Sequence, residues 1–400
     1  MKRPELLLPV RSWPNLKSAL NYANAVYFGA KDLNMRARAG NFTLNDIKKV
    51  VDICHKNKIK AYLTINVVIY QKDIKTLEKV LNAAKKAKID AIICWDWAVI
   101  EAAKKRNLPI HISTQANISN SKTATMYKNL GAKRIVLARE CSLADIKKIK
   151  KETDIEIETF IHGAMCVSIS GRCYLSSYLY GKSANCGDCL QPCRQNWTLK
   201  NEENNEIVCE GKYLMSAKDL CMIEHVPELI KAGITSFKVE GRLRDARYVE
   251  TTGKCYKEAI NAVLNKTYTL EKINDWLKQL KSVYNRGFST GFYYSKPGKN
   301  EFTYDSANTQ ATHTRKQIGI VTNYYPKNKV AAVRILTDKL NIGDEIIVEG
   351  KTTYIKQIAE SINLNTKSTN SAKKGDIIGL KLNDKARKND WIYVVKNKNK

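Results

Sequence analysis

The sequence has no run of 18 or more apolar residues, so no segment is long enough to cross a membrane as a helix. The N-terminal apolar run is short and is broken by Pro9 and Arg11, which argues against a signal peptide. No HExxH or P-loop motif occurs, and no GxGxxG follows the first predicted strand. We therefore expect a cytoplasmic protein with reduced thiols, and no dinucleotide-binding fold.

Acidic residues are scarce relative to basic ones. The 400 residues include 68 Lys and Arg against 39 Asp and Glu, which gives a formal net charge of +29. An excess of this size indicates a polyanionic partner, most simply RNA or DNA. The alternative is compositional drift, because the chain is rich in Lys, Asn and Ile.

Short apolar runs alternate with amphipathic helical patterns along the first two thirds of the chain. Thr43 with Asp46, and Ser142 with Asp145, have the spacing of capping boxes at helix starts. Eight nearly continuous apolar strands alternating with helices predict an α/β protein with a (β/α)8, TIM-like barrel; a doubly wound open sheet is the alternative. The predicted strands are 5–10, 25–30, 60–69, 91–95, 110–115, 134–139, 155–161 and 236–240.

Polar residues follow these strands at their C-terminal ends, where barrel enzymes place their chemistry. Each alone is more often structural than functional, but their shared position predicts a common site. The residues are Arg36, Arg38, Asn66, Asp96, Gln115, Arg139, Glu140, His162, Glu240 and Arg242.

From about residue 315 the pattern changes to short strands and turns, which predicts a small C-terminal β-barrel. The predicted organisation is a barrel formed by 1–165 and 210–300, a cysteine-rich insertion at 166–209, and the C-terminal domain at 313–400. Exposed tyrosines and Lys-rich turns in this domain suit an RNA surface, and are also ordinary for any small barrel.

Six of the eleven cysteines lie between residues 166 and 209. Clustered cysteines indicate an iron–sulfur cluster, a zinc site or a disulfide frame. The first pair is separated by six residues, which is wide for a zinc knuckle, so we favour a [4Fe–4S] cluster, with zinc as the alternative. The six are Cys166, Cys173, Cys186, Cys189, Cys193 and Cys209.

The segment ETFIHGAMCVSISGRCYLSSYLYG closely resembles the signature of peptidase family U32. The resemblance extends to AVYFGAKDLNMRARAGNFT, to YLMSAKDLCMIEHVPELIKAGITSFKVEGR and to NRGFSTGFY, and so covers nearly the whole chain. It implies a C-terminal barrel of the elongation-factor domain-two type. For function it implies either collagenase-like proteolysis or hydroxylation of an RNA base in tRNA or ribosomal RNA, with a cysteine-ligated [4Fe–4S] cluster and dependence on prephenate or a related metabolite.

The resemblance places the cluster ligands at Cys166, Cys173, Cys189 and Cys193. A different branch of the family has its fourth ligand at the position of Cys209, so Cys209 is the second choice for that ligand and Cys186 the third. Six thiols are therefore available for four ligand places.

We favour an RNA base hydroxylase, because thiolates held in a cluster are not free nucleophiles and the charge suits RNA. A U32-type peptidase and a non-catalytic RNA-binding protein with a structural cluster or zinc are the alternatives. The predicted catalytic residues are His162, Glu240 and Arg242. The predicted substrate-binding residues, for RNA or a prephenate-like donor, are Arg36, Arg38, Asn66, Gln115 and Arg139.

Overall fold

The computed structural model describes residues 2–203, 206–207, 213, 215–304 and 309–398. The chain divides into two compact units, and each is described by itself. The first unit contains Met1–Arg11 and Ala19–Gln310, and the second contains Ser12–Ser18 and Ala311–Lys400. In the described part of the chain, we find no helix with the length and hydrophobicity needed to cross a bilayer.

The first unit is built on a closed barrel of eight parallel strands. The last barrel strand, Ser236–Val239 (β8), pairs with Glu5–Pro9 (β1) at Glu5↔Ser236 and with Glu156–Ala164 (β7) at Glu158↔Ser236. These two pairings close the sheet on itself. This confirms the predicted (β/α)8 barrel and shows that the open-sheet alternative was wrong. The strands are β1 Glu5–Pro9, β2 Ala25–Gly29, β3 Lys60–Thr64, β4 Ala91–Cys94, β5 Ile110–Ile112, β6 Arg134–Val136, β7 Glu156–Ala164 and β8 Ser236–Val239.

Helices follow the strands, and their starts agree with the capping signals of the sequence. At α6, the Asp145 amide donates to Ser142 Oγ at 3.1 Å, and the Ser142 amide donates to the Asp145 carboxylate at 3.2 Å. The helices are α1 Trp13–Ala19, α2 Leu44–Lys56, α3 Ile74–Lys86, α4 Trp97–Lys105, α5 Ser121–Asn129, α6 Leu143–Thr153, α7 Leu175–Tyr180, α8 Val226–Lys231, α9 Ala246–Leu264 and α10 Leu270–Ser282.

Several strands end earlier than their apolar runs. The strand predicted at 60–69 ends at Thr64. Ile65 donates one further backbone hydrogen bond to Ile93, and the side chain of Asn66 then accepts from the Met35 amide in the loop after β2. The strand β7 instead runs past its predicted end, since the short strand Asp219–Cys221 pairs with it antiparallel. The strand β3 thus ends just before the polar Asn66, while pairing with Asp219–Cys221 extends β7.

The barrel interior contains a buried cluster of charged side chains. Glu158 on β7 is fully buried; it accepts from Lys238 Nζ at 2.8 Å and from Arg134 at 3.1 Å. Arg134 also pairs with Glu5 at 2.6 Å and with the half-exposed Glu156. Burial by itself would raise the pKa of Glu158, but Lys238 and Arg134 outweigh it and hold that pKa below its usual value.

We predict that Glu158→Gln strongly destabilises the barrel, because it leaves Lys238 and Arg134 buried with too little negative charge. The expected loss is about 3–5 kcal/mol in the free energy of unfolding, measured by urea denaturation. The matched control is Glu156→Gln, which removes a half-exposed partner of the same arginine and should cost about 1 kcal/mol or less. Equal effects of the two changes would contradict the prediction.

The second unit is an antiparallel β domain with its own core, and α1 belongs to it through residues 12–18. Lys17 of α1 pairs with Asp384 at 2.5 Å. The antiparallel pairing of its strands confirms the predicted C-terminal β region. The likeness of this region to elongation-factor domain two stays a prediction. The main sheet contains His313–Tyr325, Val330–Ile335, Glu345–Glu349, Tyr354–Ile358, Ile362–Leu364, Lys367–Thr369, Ile377–Lys381 and Trp391–Asn397.

Candidate active site at the barrel mouth

A pocket of about 120 Å³ lies at the C-terminal ends of the barrel strands. Residues from five strand ends and from the cysteine-rich insertion line it together, although they are far apart in the sequence. Parallel strands bring their carboxyl ends to one face, and the insertion follows β7 at that same face. The pocket is lined by Arg36, Asn66, Gln115, Arg139, Glu240 and Arg242 from the strand ends, and by Cys166, Cys173, Cys189 and Cys193 from the insertion.

The backbone of the insertion donates hydrogen bonds to two of these sulfurs. The Leu175 amide points to Cys173 Sγ at 3.4 Å, and the Gln191 amide points to Cys189 Sγ at 3.3 Å. Amide donors favour the thiolate form of a cysteine, which is the form that binds metals. The local fold of the insertion therefore suits these two cysteines to metal ligation.

Cys193 is partly buried, as are Cys173 and Cys189, whereas Cys166 is exposed. Burial raises the pKa of the Cys193 thiol to about 11; the nearby Cys166, Cys189 and Cys173 act in the same direction, and Arg194 opposes them. As a free side chain it stays protonated at neutral pH. The mutual influence of the four thiols reflects how closely they surround one space.

The four cysteines line a cavity rather than converging on a point. Among the described residues, no three Cys, His, Asp or Glu side chains are grouped as ligands of a single metal ion. Four thiolates around a cavity match the donor set of a [4Fe–4S] cluster, in which each ligand binds a separate iron.

The remaining cysteines lie elsewhere. Cys186 does not line the pocket, and its thiol donates to Tyr70 Oη at 3.7 Å. Cys209, the other alternative ligand, lies outside the described residues. Five further cysteines are each buried separately in the first unit, namely Cys54, Cys94, Cys141, Cys221 and Cys255.

Glu240 anchors two arginines across the mouth. Arg36 donates to its carboxylate from Nε at 3.3 Å and from a terminal nitrogen at 3.1 Å, and Arg139 lies at 3.8 Å. Burial alone would raise the pKa of Glu240, but Arg36 and Arg139 outweigh it, so the pKa lies below its usual value. The carboxylate is therefore ionised at neutral pH, and it holds both guanidinium groups in place.

Arg242 lies deeper, at the end of β8. It donates to Thr64 at 2.9 Å and to Asn34 at 3.1 Å, and burial lowers its pKa to about 10. A Cβ at Gly29 would come within 2.5 Å of this guanidinium, so glycine makes the space that it occupies. The buried Nε atoms of Arg139 and Arg242 have no hydrogen-bond partner in the described part of the structure.

Two of the predicted catalytic and substrate-binding residues, Arg38 and His162, are not brought to the pocket. Arg38 is exposed and pairs with Asp188 at 3.4 Å. His162 is buried against Tyr248, Tyr256 and Phe288, and burial lowers its pKa to about 3, which keeps the ring neutral.

A β-bulge explains the position of His162. Lys238 pairs with Phe160 and Val239 pairs with His162, so Ile161 is an extra residue on β7. A bulge shifts the alternation of side chains by one residue. Phe160 consequently lines the pocket, while His162 packs against aromatic residues that include two from α9.

Asp96 and Glu140 have structural roles at the mouth. Asp96 caps α4 through the Ala98 amide at 3.0 Å, and Glu140 accepts from the Ser170 amide at 2.9 Å. Sequence reasoning missed Lys238, which lines the pocket from within β8. Its signal was a lysine inside an otherwise apolar strand, SFKVE.

The fold and the pocket define a TIM-barrel protein with a cysteine- and arginine-lined mouth. The chain belongs to peptidase family U32, whose family model matches residues 11–303. A Methanocaldococcus jannaschii protein named as an uncharacterized protease is 46% identical, covering 98% of each chain. A collagenase of Porphyromonas gingivalis is 40% identical over 97% of each chain. The tRNA hydroxylation protein P1 of Bacillus subtilis is 36% identical over 81% of this chain and 78% of its own.

We predict that iodoacetamide labels Cys166 before Cys193 in protein prepared without iron or zinc. Cys166 is exposed, whereas the pKa of about 11 leaves only about one Cys193 thiol in a thousand ionised at pH 8. The Cys193 rate should rise about tenfold per pH unit below that pKa. Mass spectrometry of tryptic peptides measures both rates.

The fully buried Cys54 is the internal control for this labelling, and it should react only after denaturation. Cys193 reacting as fast as Cys166 at pH 7 would contradict the geometry described for the pocket.

Proposed function

We propose that the protein is an iron–sulfur enzyme that hydroxylates a pyrimidine base in tRNA or ribosomal RNA. The observation that carries the proposal is the single pocket in which four cysteines meet an arginine-rich set of strand ends. Similarity to a tRNA hydroxylation protein over most of the chain supports the same reaction class. The cysteines supply a redox centre, and the arginines supply binding for an anion.

The residues that would hold a [4Fe–4S] cluster are Cys166, Cys173, Cys189 and Cys193. When bound, the cluster would supply electron transfer at the mouth of the barrel. Amides donating to Cys173 and Cys189 tune such sulfurs, since hydrogen bonds to the ligands influence the reduction potential. The chain itself thus contributes both the ligands and part of their electrostatic environment.

Three arginines face one carboxylate in the pocket, which leaves an excess of positive charge. Glu240 holds Arg36 and Arg139, while Arg242 is held by neutral groups. Guanidinium groups bind carboxylates in a bidentate manner, and the Nε atoms of Arg139 and Arg242 lack partners in the described structure. We infer that these two arginines bind the carboxylates of a prephenate-like donor.

The RNA base would reach this pocket only after leaving its stack, as in other enzymes that modify bases. The net charge of +29 favours the RNA backbone, and binding of that kind weakens as salt rises. The protein would therefore contact the RNA through its basic surface and act on one base at the mouth.

Peptidase activity is the second candidate, since one close relative is named as a collagenase. A cysteine peptidase needs a histidine beside its thiol to act as a base. Among the described residues, no histidine lines the pocket that contains the four cysteines. Glu158 and His162 do not form a metal pair either, because Glu158 is bound to Lys238 inside the barrel. The pocket therefore favours hydroxylation.

We predict that anaerobically purified protein is brown and contains iron and acid-labile sulfide. Cys173→Ser and Cys193→Ser should lose most of both, because each removes a ligand. Cys186→Ser is the matched control and should retain the wild-type content, since Cys186 lies against Tyr70 outside the pocket. A colourless protein with one zinc ion would overturn the cofactor assignment.

We predict that deletion of the gene removes one hydroxylated pyrimidine from tRNA or ribosomal RNA, as measured by nucleoside mass spectrometry. Complementation with Arg139→Gln should restore the nucleoside about 10- to 100-fold less well than the wild type, because a charged hydrogen bond is lost. Asp52→Asn, an exposed change on α2, is the control. An unchanged nucleoside profile in the deletion strain would reject the enzyme and favour a binding protein.

A further inference from the structure

A second cavity lies beside the cysteine pocket. It measures about 240 Å³, and Trp95, Arg172 and Tyr174 form much of its wall. Met35 and Gln115 line both cavities, so the two are direct neighbours. The proposed reaction assigns no role to Trp95, Arg172 or Tyr174, which makes this cavity a separate question.

An arginine lies over an aromatic ring in the wall of this cavity. The guanidinium carbon of Arg172 lies 4.9 Å from the centre of the Trp95 ring. Arg172 donates to the Gln115 carbonyl at 2.9 Å, and the Trp95 indole donates to the Asn66 carbonyl at 3.0 Å. These hydrogen bonds fix the orientation of both groups. Arginine and aromatic planes of this kind are the surfaces on which RNA-binding proteins stack unpaired bases.

Two tyrosines next to the cavity are unusually exposed. Tyr174 is 80% exposed and Tyr178 is 86% exposed. The Tyr178 amide donates to the Tyr174 carbonyl at 2.8 Å, so the two residues are one helical turn apart at the start of α7 and lie on one face. Exposed rings that are grouped in this way mark a binding surface more often than a solvated one.

The tyrosines are also tied to the proposed cluster ligands by the chain itself. Cys173 directly precedes Tyr174, and its sulfur accepts from the amide of Leu175, the first residue of α7. A base that stacks on Tyr174 would therefore lie next to the cysteine pocket. The basic character of the whole chain favours RNA over a protein as the occupant.

We propose that the cavity formed by Trp95, Arg172 and Tyr174 binds an unpaired RNA base adjacent to the base that is modified, and that Tyr178 extends this stacking surface. The inference rests on the proposed function and adds the recognition of single-stranded RNA. Sequence context next to the modified base would then be read by stacking, with the target base held in the neighbouring pocket.

The test measures binding of a short fluorescein-labelled single-stranded RNA by fluorescence anisotropy. Tyr174→Ala and Arg172→Ala should each raise Kd about tenfold or more, while Tyr174→Phe should bind like the wild type because it keeps the ring. The matched control is Tyr294→Ala, which removes an exposed tyrosine of the first unit that packs against His225 and should leave Kd unchanged. For Tyr174→Ala, the slope of log Kd against log salt should also stay unchanged, since a neutral ring releases no counterions.

Because Tyr174 neighbours a proposed ligand, the iron content of each variant is measured alongside. Should Tyr174→Ala lose iron, Tyr178→Ala carries the test, since it is not adjacent in sequence to a cysteine. Wild-type Kd in both Tyr174→Ala and Tyr178→Ala, or an equal loss of affinity in Tyr294→Ala, would overturn the inference.

The same variants, expressed in the deletion strain, separate this inference from the proposed function. Reduced hydroxylation with Tyr174→Ala and normal hydroxylation with Tyr174→Phe support the stacking role. Full hydroxylation with Tyr174→Ala and Tyr178→Ala would reject the stacking role and leave the enzyme assignment intact. A deletion strain with no missing nucleoside would reject the enzyme, whereas the anisotropy experiment would still report whether the cavity binds RNA.

Discussion

Closure of the parallel barrel is the constraint on which the mouth depends. The strand β8 pairs with both β1 and β7, so Ser236 becomes a neighbour of Glu5, 231 positions away in the chain, and of Glu158. Once the sheet closes, every strand must deliver its C-terminal end to the same rim. The side chains that follow these strands are thereby brought to one rim, and six of them share the pocket there, namely Arg36, Asn66, Gln115, Arg139, Glu240 and Arg242.

Closure also creates a cost, because charged side chains are enclosed with the apolar ones. Oppositely charged partners offset this cost at two levels of the barrel. In the interior, Glu158 is matched by Lys238 and Arg134, and at the mouth Glu240 is matched by Arg36 and Arg139. The two levels differ in their charge balance, because the interior donors are paired with carboxylates while the mouth keeps an excess of guanidinium. A site for an anionic ligand is the natural use of such an excess.

The cysteine-rich insertion completes the mouth because it begins where β7 ends. Its backbone amides donate to Cys173 and Cys189, so local turns help to orient these two sulfurs. The same segment places Tyr174 next to Cys173. We therefore propose that metal ligation and base recognition reside in one continuous stretch of chain. The position of a bound RNA strand would then depend on the position of the redox centre.

Much of this architecture could be predicted from local patterns. Apolar runs located all eight barrel strands, and Ser142 with Asp145 located the start of α6, because these signals depend on neighbouring residues only. The position of His162 could not be predicted. It depends on one extra residue in β7 relative to β8, and a register of that kind is decided by a strand from elsewhere in the chain.

The sequence by itself determined the (β/α)8 barrel, the excess of positive charge and the density of cysteines after β7, because periodicity and composition are local properties. Only the tertiary structure decided which residues share the pocket. It brought Cys166 to Cys193 and Arg36 to Glu240, and it left Arg38 exposed and Cys186 against Tyr70. Proximity across a closed barrel follows from strand register and loop path, and both arise from long-range contacts that no local pattern records.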